Sequence, residues 1–105
     1  LIRAYPNRII NIHPSLLPAF KGAHGIDDAF NYGVKLTGVT VHFVDEKMDH
    51  GPIILQGEVK IQKNDSLESL EVKIHRLEHK LYPEAIRLFC AGKLKILGRN
   101  VLLNV

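Results

Sequence analysis

An asparagine and a histidine two positions apart are the first residues of this 105-residue chain that could share a chemical task. Asn11 and His13 lie in the run R-I-I-N-I-H at 8–13, whose β-branched composition is typical of a short strand. Side chains two apart on a strand project to one face, so an amide and an imidazole would lie side by side. Taken alone, such a pair is more typical of strand-end polar groups that satisfy loop backbone atoms.

The second candidate cluster is the acidic loop D-E-K-M-D-H-G-P at 45–52. It holds three carboxylates, Asp45, Glu46 and Asp49. On its own pattern this loop is typical of a solvated turn. Only folding could bring it to the N-x-H pair, and composition does not show that it does.

Hydrophobic periodicity predicts the elements that would carry these residues. A helix is expected at 24–32 and strands at 36–44 and 52–61, with Gly57 as a possible bulge in the second strand. The helix would be closed by Gly33, a residue type common at helix C-termini. The two candidate clusters would then both lie where a strand gives way to a loop, which is where chemistry gathers in open α/β sheets.

A long amphipathic helix is predicted to follow. Asp65 and Glu68 fit the N-cap and N3 positions of a capping box, and an apolar stripe runs on from there. Pro83 is expected to kink or restart the helix, which would continue towards Gly92, and a closing strand or hairpin is expected around 98–100. The order of elements predicts an α/β layered structure in one domain over 1–105.

Composition limits the possible functions. The chain is 46% hydrophobic and 24% charged, which is ordinary for a globular protein. It has neither a bilayer-length apolar stretch of about 20 residues nor a secretory signal, so no membrane partner and a cytoplasmic location are expected. The formal charge of +3 is scattered, which disfavours a nucleic-acid partner and suits a small anionic substrate.

No metal site is expected from the ligand types. Cys90 is the only cysteine, which excludes an internal disulfide and the multi-cysteine zinc motifs. His75 and His79 are spaced as zinc ligands can be on a helix, but no third ligand is evident nearby, so a solvated helix face is the preferred interpretation.

Two longer blocks resemble the formyltransferase family that uses 10-formyltetrahydrofolate. They are N-I-H-P-S-L-L-P-A-F-K-G-A-H at 11–24 and G-V-T-V-H-F-V-D-E-K-M-D-H-G-P-I-I-L-Q at 38–56, and their order and separation make chance similarity very improbable. The variants H-P-S, V-H-F-V and G-P-I-I are most similar to the members that formylate glycinamide ribonucleotide in de novo purine biosynthesis. The run E-H-K-L-Y-P-E-A-I-R-L-F at 78–89 resembles the closing helix of those members.

The resemblance implies a catalytic set of Asn11, His13 and Asp49. The substrate amine would attack the formyl carbon and create a tetrahedral centre with a developing oxyanion and a proton to lose. Asn11 would donate a hydrogen bond to that oxygen, and His13 would stabilise it and relay protons. Asp49, if close, would favour the protonated imidazole and order a water. No covalent intermediate with the enzyme is required.

The resemblance also implies the binding residues. The folate cosubstrate would be bound at Asn11, Val44, Asp45 and Asp49. Glu78 would help to hold the ribonucleotide through ribose hydroxyls, with an exposed helix glutamate as the alternative. Three further residues inside the matching blocks suit hydrogen bonding around the site better than direct catalysis: Ser15, His24 and His42.

The implied fold is the C-terminal portion of a Rossmann-like formyltransferase, a mixed sheet with flanking helices. The family's N-terminal half carries a first strand and a glycine-rich phosphate loop, and no such loop exists in this sequence. We therefore expect these 105 residues to be inactive or nearly so by themselves. A homodimer is possible.

Other readings stay open on the residues. One is a hydrolase that releases formate from 10-formyltetrahydrofolate, although that relative usually has a second histidine where this chain has Pro14. The tRNA-directed relative favours H-A-S over the H-P-S found at 13–15. An inactive remnant is the non-enzymatic alternative, against which the intact candidate trio argues.

Overall fold

The computed structural model of the chain describes residues 9–103, which form a five-stranded mixed sheet and two helices. The elements are β1 (Ile10–His13), α1 (Gly25–Tyr32), β2 (Leu36–Phe43), β3 (Ile53–Lys60), α2 (Leu67–Cys90), β4 (Leu94–Leu97) and β5 (Asn100–Leu103). The strand order is β1-β2-β3-β5-β4, antiparallel throughout except that β3 and β5 are parallel. The predicted α/β class is confirmed. Arg8, where the first predicted strand began, lies outside the described residues.

One face of the sheet is apolar and packs against α2. Val39 and Val59 from the strands are buried together with Leu70 and Ile74 from the helix. Alternation along β2 explains the division, because successive strand residues point to opposite faces. The same apolar cluster also contacts α1 and the later turns of α2, through Ile26, Phe30, Leu77 and Leu81.

Gly57 belongs to this apolar face, and the prediction of a bulge there is wrong. A Cβ at Gly57 would lie 2.9 Å from side-chain atoms of Leu77 and Leu81, so glycine is needed for the close approach of α2. The irregularity lies further along, where Val41 pairs with Leu55 but His42 pairs with Ile53, which leaves Ile54 as the extra residue.

The N-terminus of α2 also differs from its prediction. Ser66 is the N-cap, its Oγ accepts from the Ser69 N–H at 3.1 Å, and Ser69 Oγ accepts from the Ser66 N–H at 2.9 Å. The capping box is therefore Ser66–Ser69 and not Asp65–Glu68. Asp65 accepts from Lys73, from Ser69 Oγ and from the backbone at 62, and these bonds lower the pKa of Asp65 to about 2.

The later part of α2 runs through Pro83 without a restart. A proline here removes one backbone hydrogen bond. The helix stays continuous because residues on both sides of Pro83 are buried, Ile74 before it and Ala85 and Leu88 after it. The closing hairpin of β4 and β5 lies where the sequence predicts it. Within 9–103, neither helix is both long and apolar enough to cross a membrane.

The opposite face of the sheet is polar and positions the site. Asn11 lies opposite His42, and His13 lies opposite Thr40. The loop at 14–22 covers part of this face, because Thr40 Oγ1 donates to the Ser15 carbonyl at 2.7 Å and accepts from the Leu17 N–H at 3.1 Å. The hydroxyl therefore anchors the loop to the central strand.

Candidate active site

His13 ends β1 and is almost fully buried, with 5% of its surface exposed. Its Nε2 lies 2.8 Å from the Phe20 carbonyl oxygen. A carbonyl can only accept, so Nε2 carries a hydrogen and donates it. Its Nδ1 faces Asp49 Oδ2 at 3.6 Å, which is beyond hydrogen-bond distance. Nδ1 is therefore the ring nitrogen that is directed at the carboxylate.

Asp49 reaches His13 through an unusual backbone conformation. Its φ is +49°, in the left-handed region that few non-glycine residues adopt. This turn directs the carboxylate to the loop at 14–22, where Oδ2 accepts a 2.7 Å hydrogen bond from the Gly22 N–H. Only 10% of the side chain is exposed. The structure thus brings a residue of the acidic loop to the histidine of the N-x-H strand.

Glycine closes this loop for a steric reason. A Cβ on Gly51 would lie 1.7 Å from the Phe43 carbonyl oxygen, well inside van der Waals contact. The chain can therefore pass the end of β2 only without a side chain at that position. The return of the loop towards β3, and with it the place of Asp49, depends on this approach.

His42 lies on the other side of Asp49. It is 2% exposed, and its Nδ1 lies 2.8 Å from the Phe43 carbonyl oxygen, to which Nδ1–H donates. Its Nε2 lies 3.9 Å from Asp49 Oδ1. In the part of the chain that the structure describes, this nitrogen and Thr37 Oγ1 are the two buried side-chain polar atoms without a hydrogen-bond partner. Asp49 therefore has an imidazole on each side.

Asn11 shares the polar face with both histidines and is exposed. Its position opposite His42 on the neighbouring strand follows from the register of β1 and β2. The amide is accessible to a ligand that approaches this face, and it can offer either a donor or an acceptor.

The loop after β2 is organised by its own hydrogen bonds. The Val44 N–H donates to the Ile9 carbonyl at 2.8 Å, which extends the ladder by one step. Asp45 accepts from the Lys47 N–H at 2.8 Å and from His50 Nδ1 at 2.7 Å. Burial works to raise the pKa of Asp45, but the bonds from His50 and Lys47 outweigh it and lower that pKa below its usual value. The Asp45 carboxylate thus serves the shape of the loop.

A cleft of about 550 Å³ opens beside Asp49. Its lining combines apolar side chains with two cations, Lys21 and Arg99, and with His50. Apolar walls with a few polar groups are typical of small-molecule sites, and the cations suit an anionic ligand. Asn11 and His13 do not line this cleft, so Asp49 is the candidate residue shared by the cleft and the histidine pair.

Glu78 lies on α2, the helix that packs on the apolar face. Its Oε1 is 3.8 Å from His75 Nε2, one turn earlier on the helix. Across residues 9–103 no hydrogen bond or ion pair joins Glu78 to His13 or Asp49. No three histidine, cysteine, aspartate or glutamate side chains of the same span gather in a way that could hold a metal ion.

Sequence reasoning missed the backbone groups of this site. The Phe20 carbonyl and the Gly22 N–H belong to a loop whose side-chain pattern has no hydrogen-bonding signal. Arg99 comes to the cleft from the closing hairpin, far away in sequence, and nothing in its surroundings marked it. His24, one of the lesser candidates, is exposed at the start of α1 and makes no side-chain cap.

Comparisons with known proteins identify the family of the chain. Residues 1–86 match the profile of the formyl transferase family. The chain is 56% identical over 87 residues to a phosphoribosylglycinamide formyltransferase of Bacillus subtilis, a match that covers 83% of this chain and 45% of the relative.

Two solved structures extend the likeness to the fold. Glycinamide ribonucleotide transformylase 1 from Symbiobacterium toebii has a TM-score of 0.93 and 53% identity, covering 97% of this chain and 48% of that one. A formyltetrahydrofolate deformylase from Pseudomonas syringae has a TM-score of 0.92 and 33% identity, covering 97% and 34%. The chain spans less than half the length of these three relatives. It belongs to the formyl transferase family.

Proposed function

We propose that this chain carries the catalytic residues of an enzyme that transfers the formyl group of 10-formyltetrahydrofolate to the amine of glycinamide ribonucleotide. The observation that carries the proposal is the buried His13 Nδ1 that faces Asp49 Oδ2 at 3.6 Å, with Asn11 accessible on the same face. The 56% identity to the Bacillus subtilis formyltransferase supports the choice of acceptor.

The reaction needs an oxyanion stabiliser and a proton carrier. When the amine attacks the formyl carbon, a C–N bond forms, the carbonyl oxygen becomes negative and the amine becomes positive. Collapse breaks the bond between that carbon and the folate nitrogen, which receives the proton that the amine gives up. Preorganised donors and a group that titrates near neutral pH are the tools for such a step.

Asn11 and His13 divide these tasks. The exposed Asn11 amide donates to the oxyanion, and losing one such donor typically costs about 3 kcal/mol of transition-state stabilisation. His13 Nε2–H donates to the Phe20 carbonyl in the free protein, and the oxyanion replaces that carbonyl when substrates bind. His13 Nδ1, beside Asp49, takes the proton from the amine and returns it to the leaving nitrogen.

Asp49 supports His13 electrostatically. A carboxylate near an imidazole stabilises the charge that the ring acquires when it accepts a proton. The low exposure of both side chains strengthens that interaction, because little water screens it. The Gly22 N–H holds the carboxylate while the ring changes charge.

We assign substrate binding to the remaining candidates. The folate is bound along the loop that follows β2, where the backbone at Val44 and Asp45 can pair with the heterocycle, and Asn11 and Asp49 complete its binding residues. Glu78 on α2 holds the ribose. The sequence contains no glycine-rich phosphate loop. We therefore assign the phosphate of the ribonucleotide to a segment other than these 105 residues, and we expect these residues to need that segment for activity.

Hydrolysis of 10-formyltetrahydrofolate is the second candidate. The similarity to the Pseudomonas syringae deformylase favours it, with a TM-score of 0.92 over 97% of the chain. Water would then replace the amine as the nucleophile, and formate would leave. The lower identity of 33%, against 53% for the Symbiobacterium toebii transformylase, ranks this reaction second.

The rate of tetrahydrofolate formation separates the two candidates. The protein that carries this chain is given 10-formyltetrahydrofolate with and without glycinamide ribonucleotide. We expect turnover only when the ribonucleotide is present. Equal rates in both mixtures would make the protein a hydrolase, and no turnover in either would refute both functions.

A further inference from the structure

His42 has a buried ring nitrogen, Nε2, that has no role in the proposed reaction. Its Nδ1–H donates to the Phe43 carbonyl at 2.8 Å, so Nε2 of the neutral ring has a lone pair and no hydrogen. Nε2 is buried and has no hydrogen-bond partner within residues 9–103. Buried polar atoms in native proteins are nearly always hydrogen-bonded, so an unpaired one requires an explanation.

The direction of this nitrogen supplies one. Nε2 faces Asp49 Oδ1 at 3.9 Å, while the other carboxylate oxygen is held by the Gly22 N–H at 2.7 Å. A bare lone pair and a carboxylate oxygen repel each other in a buried site. A proton taken up from solvent at Nε2 would make the ring an imidazolium. That would turn the repulsion into an ion pair with Oδ1 across 3.9 Å, while the Gly22 N–H continues to hold Oδ2.

The backbone at His42 is held in place by strand pairing on both sides. It lies on β2, which is paired on both sides, and the shift of register next to it leaves Ile54 unopposed on β3. Such irregularities are common next to active sites, where they redirect a side chain. Asp49, in contrast, lies in a loop with a φ of +49°, a conformation that persists only when its surroundings hold it.

We propose that His42 is a positioning residue that holds Asp49 in place beside His13 through an ion pair between a protonated Nε2 and Oδ1. The inference rests on the proposed function, because it gives the His13–Asp49 pair a second imidazole as support. Small displacements of a catalytic group can lower rates by roughly 10²-fold, so the effect should be seen in turnover.

A double-mutant cycle tests this role. His42→Phe, Asp49→Asn and the double variant are compared in the protein that carries this chain. We expect His42→Phe to lower kcat roughly tenfold to a hundredfold with little change in KM for the ribonucleotide, and to have no further effect once Asp49 is replaced. The same loss in both backgrounds, or near-normal turnover of His42→Phe, would overturn the proposal.

Two further variants sharpen the comparison. Thr37→Val removes the other unpaired buried polar atom of β2 with almost no change of shape, and should leave kcat unchanged. His42→Gln can still donate to Asp49 Oδ1 through its amide, so it should retain more activity than His42→Phe. If His42→Phe does not fold, as judged by circular dichroism, the glutamine variant takes its place. Activity of His42→Gln no higher than that of Asp49→Asn would then overturn the proposal.

Nitrogen NMR of the His42 ring tests the contact without any activity. In the wild-type protein we expect Nε2 to be protonated or hydrogen-bonded, and we expect this signal to change in Asp49→Asn. A bare Nε2 in the wild type would contradict the proposal even in an active enzyme. If the protein turns over no formyl donor, the proposed function fails, and the ring spectrum still decides the contact.

Discussion

The proposed proton transfer by His13 is based on the different surroundings of its two ring nitrogens. Nε2–H is bound to the Phe20 carbonyl, whereas Nδ1 faces Asp49. We expect His13→Ala to lower turnover ~10²- to 10⁴-fold, the usual range for a lost general acid or base, with a much smaller effect on nucleotide binding. Steady-state kinetics and a binding titration measure the two effects.

His24→Ala is the matched control for that prediction. His24 is exposed at the start of α1 and makes no side-chain cap, so its loss should leave turnover unchanged. Near-normal turnover of His13→Ala, or an equal loss in both variants, would rule out the role of His13.

The proposed role of Asp49 has two parts, its negative charge and its hydrogen bond to the Gly22 N–H, and the Asp49→Asn variant separates them. The amide that replaces the carboxylate would keep an oxygen for the Gly22 N–H, and asparagine tolerates a left-handed backbone. We expect Asp49→Asn to change the free energy of unfolding by less than about 1 kcal/mol. Turnover should fall at least about 10²-fold, because the negative charge beside the imidazole is gone. Unchanged kcat would show that the charge of Asp49 is not used.

Part of the site could be predicted at this scale. The shared face of Asn11 and His13 follows from the two-residue period of a strand, and β1 has that period. The meeting of His13 with Asp49 does not follow from any local pattern, because it depends on a left-handed turn and on a hydrogen bond to Gly22. Only the resemblance to a family joined the two in advance.

Among the elements, strands and helices were easier to predict than their ends. Alternation in β2 and the apolar stripe of α2 mark long elements that bury one face, so burial and local propensity agree. The cap of α2 was misassigned because several polar residues compete within 65–69, and either serine or aspartate can begin a helix. Tertiary packing likewise outweighed the local cost of Pro83.

Asp65 provides a test at the start of α2. Its folded-state pKa of about 2 lies below the ordinary value of 3.8, so its ionised form stabilises the fold above about pH 4. That stabilisation should be lost as the pH falls from about 4 to about 2. At pH 7, Asp65→Asn should therefore have a lower urea midpoint of unfolding than the wild type. The difference between the two midpoints should become steadily smaller as the pH falls.

Glu68→Gln is the control in the same first turn of α2. Glu68 is exposed there and is not among the groups that lower the pKa of Asp65. We expect its urea midpoint to stay near that of the wild type at every pH. The ion pair between Asp65 and Lys73 would be contradicted if the difference in urea midpoint between Asp65→Asn and wild type stayed constant from pH 7 to pH 2.

Gly51 tests the joint between β2 and the loop that carries Asp49. Its Cβ would lie 1.7 Å from the Phe43 carbonyl oxygen, so Gly51→Ala must displace backbone. We expect a loss of about 3 kcal/mol or more in the free energy of unfolding. Gly98→Asn in the open closing hairpin, where φ is +61° and no atom lies within 4 Å, should cost less than about 1 kcal/mol. Equal losses in the free energy of unfolding for the two variants would show that the backbone between β2 and the loop can relax around the added side chain.

In the whole molecule, the two faces of the sheet have different surroundings, and we assign the proposed chemistry to the polar face. Its apolar face buries α2, while its polar face presents Asn11, His13 and His42 to the loops that reach over it. Substitutions on the polar face should therefore affect turnover more than folding. The division suits a family in which transfer and hydrolysis share one fold, because the two reactions differ in the nucleophile that enters and not in the scaffold.

The fate of the formyl carbon distinguishes transfer to glycinamide ribonucleotide from release as formate. The protein that carries this chain is mixed with 10-formyltetrahydrofolate labelled with ¹³C in the formyl group and with glycinamide ribonucleotide, and the label is followed by carbon NMR. We expect the label to move into the formamide of the ribonucleotide product, and we expect His13→Ala to slow this transfer. Label found only in formate would contradict it.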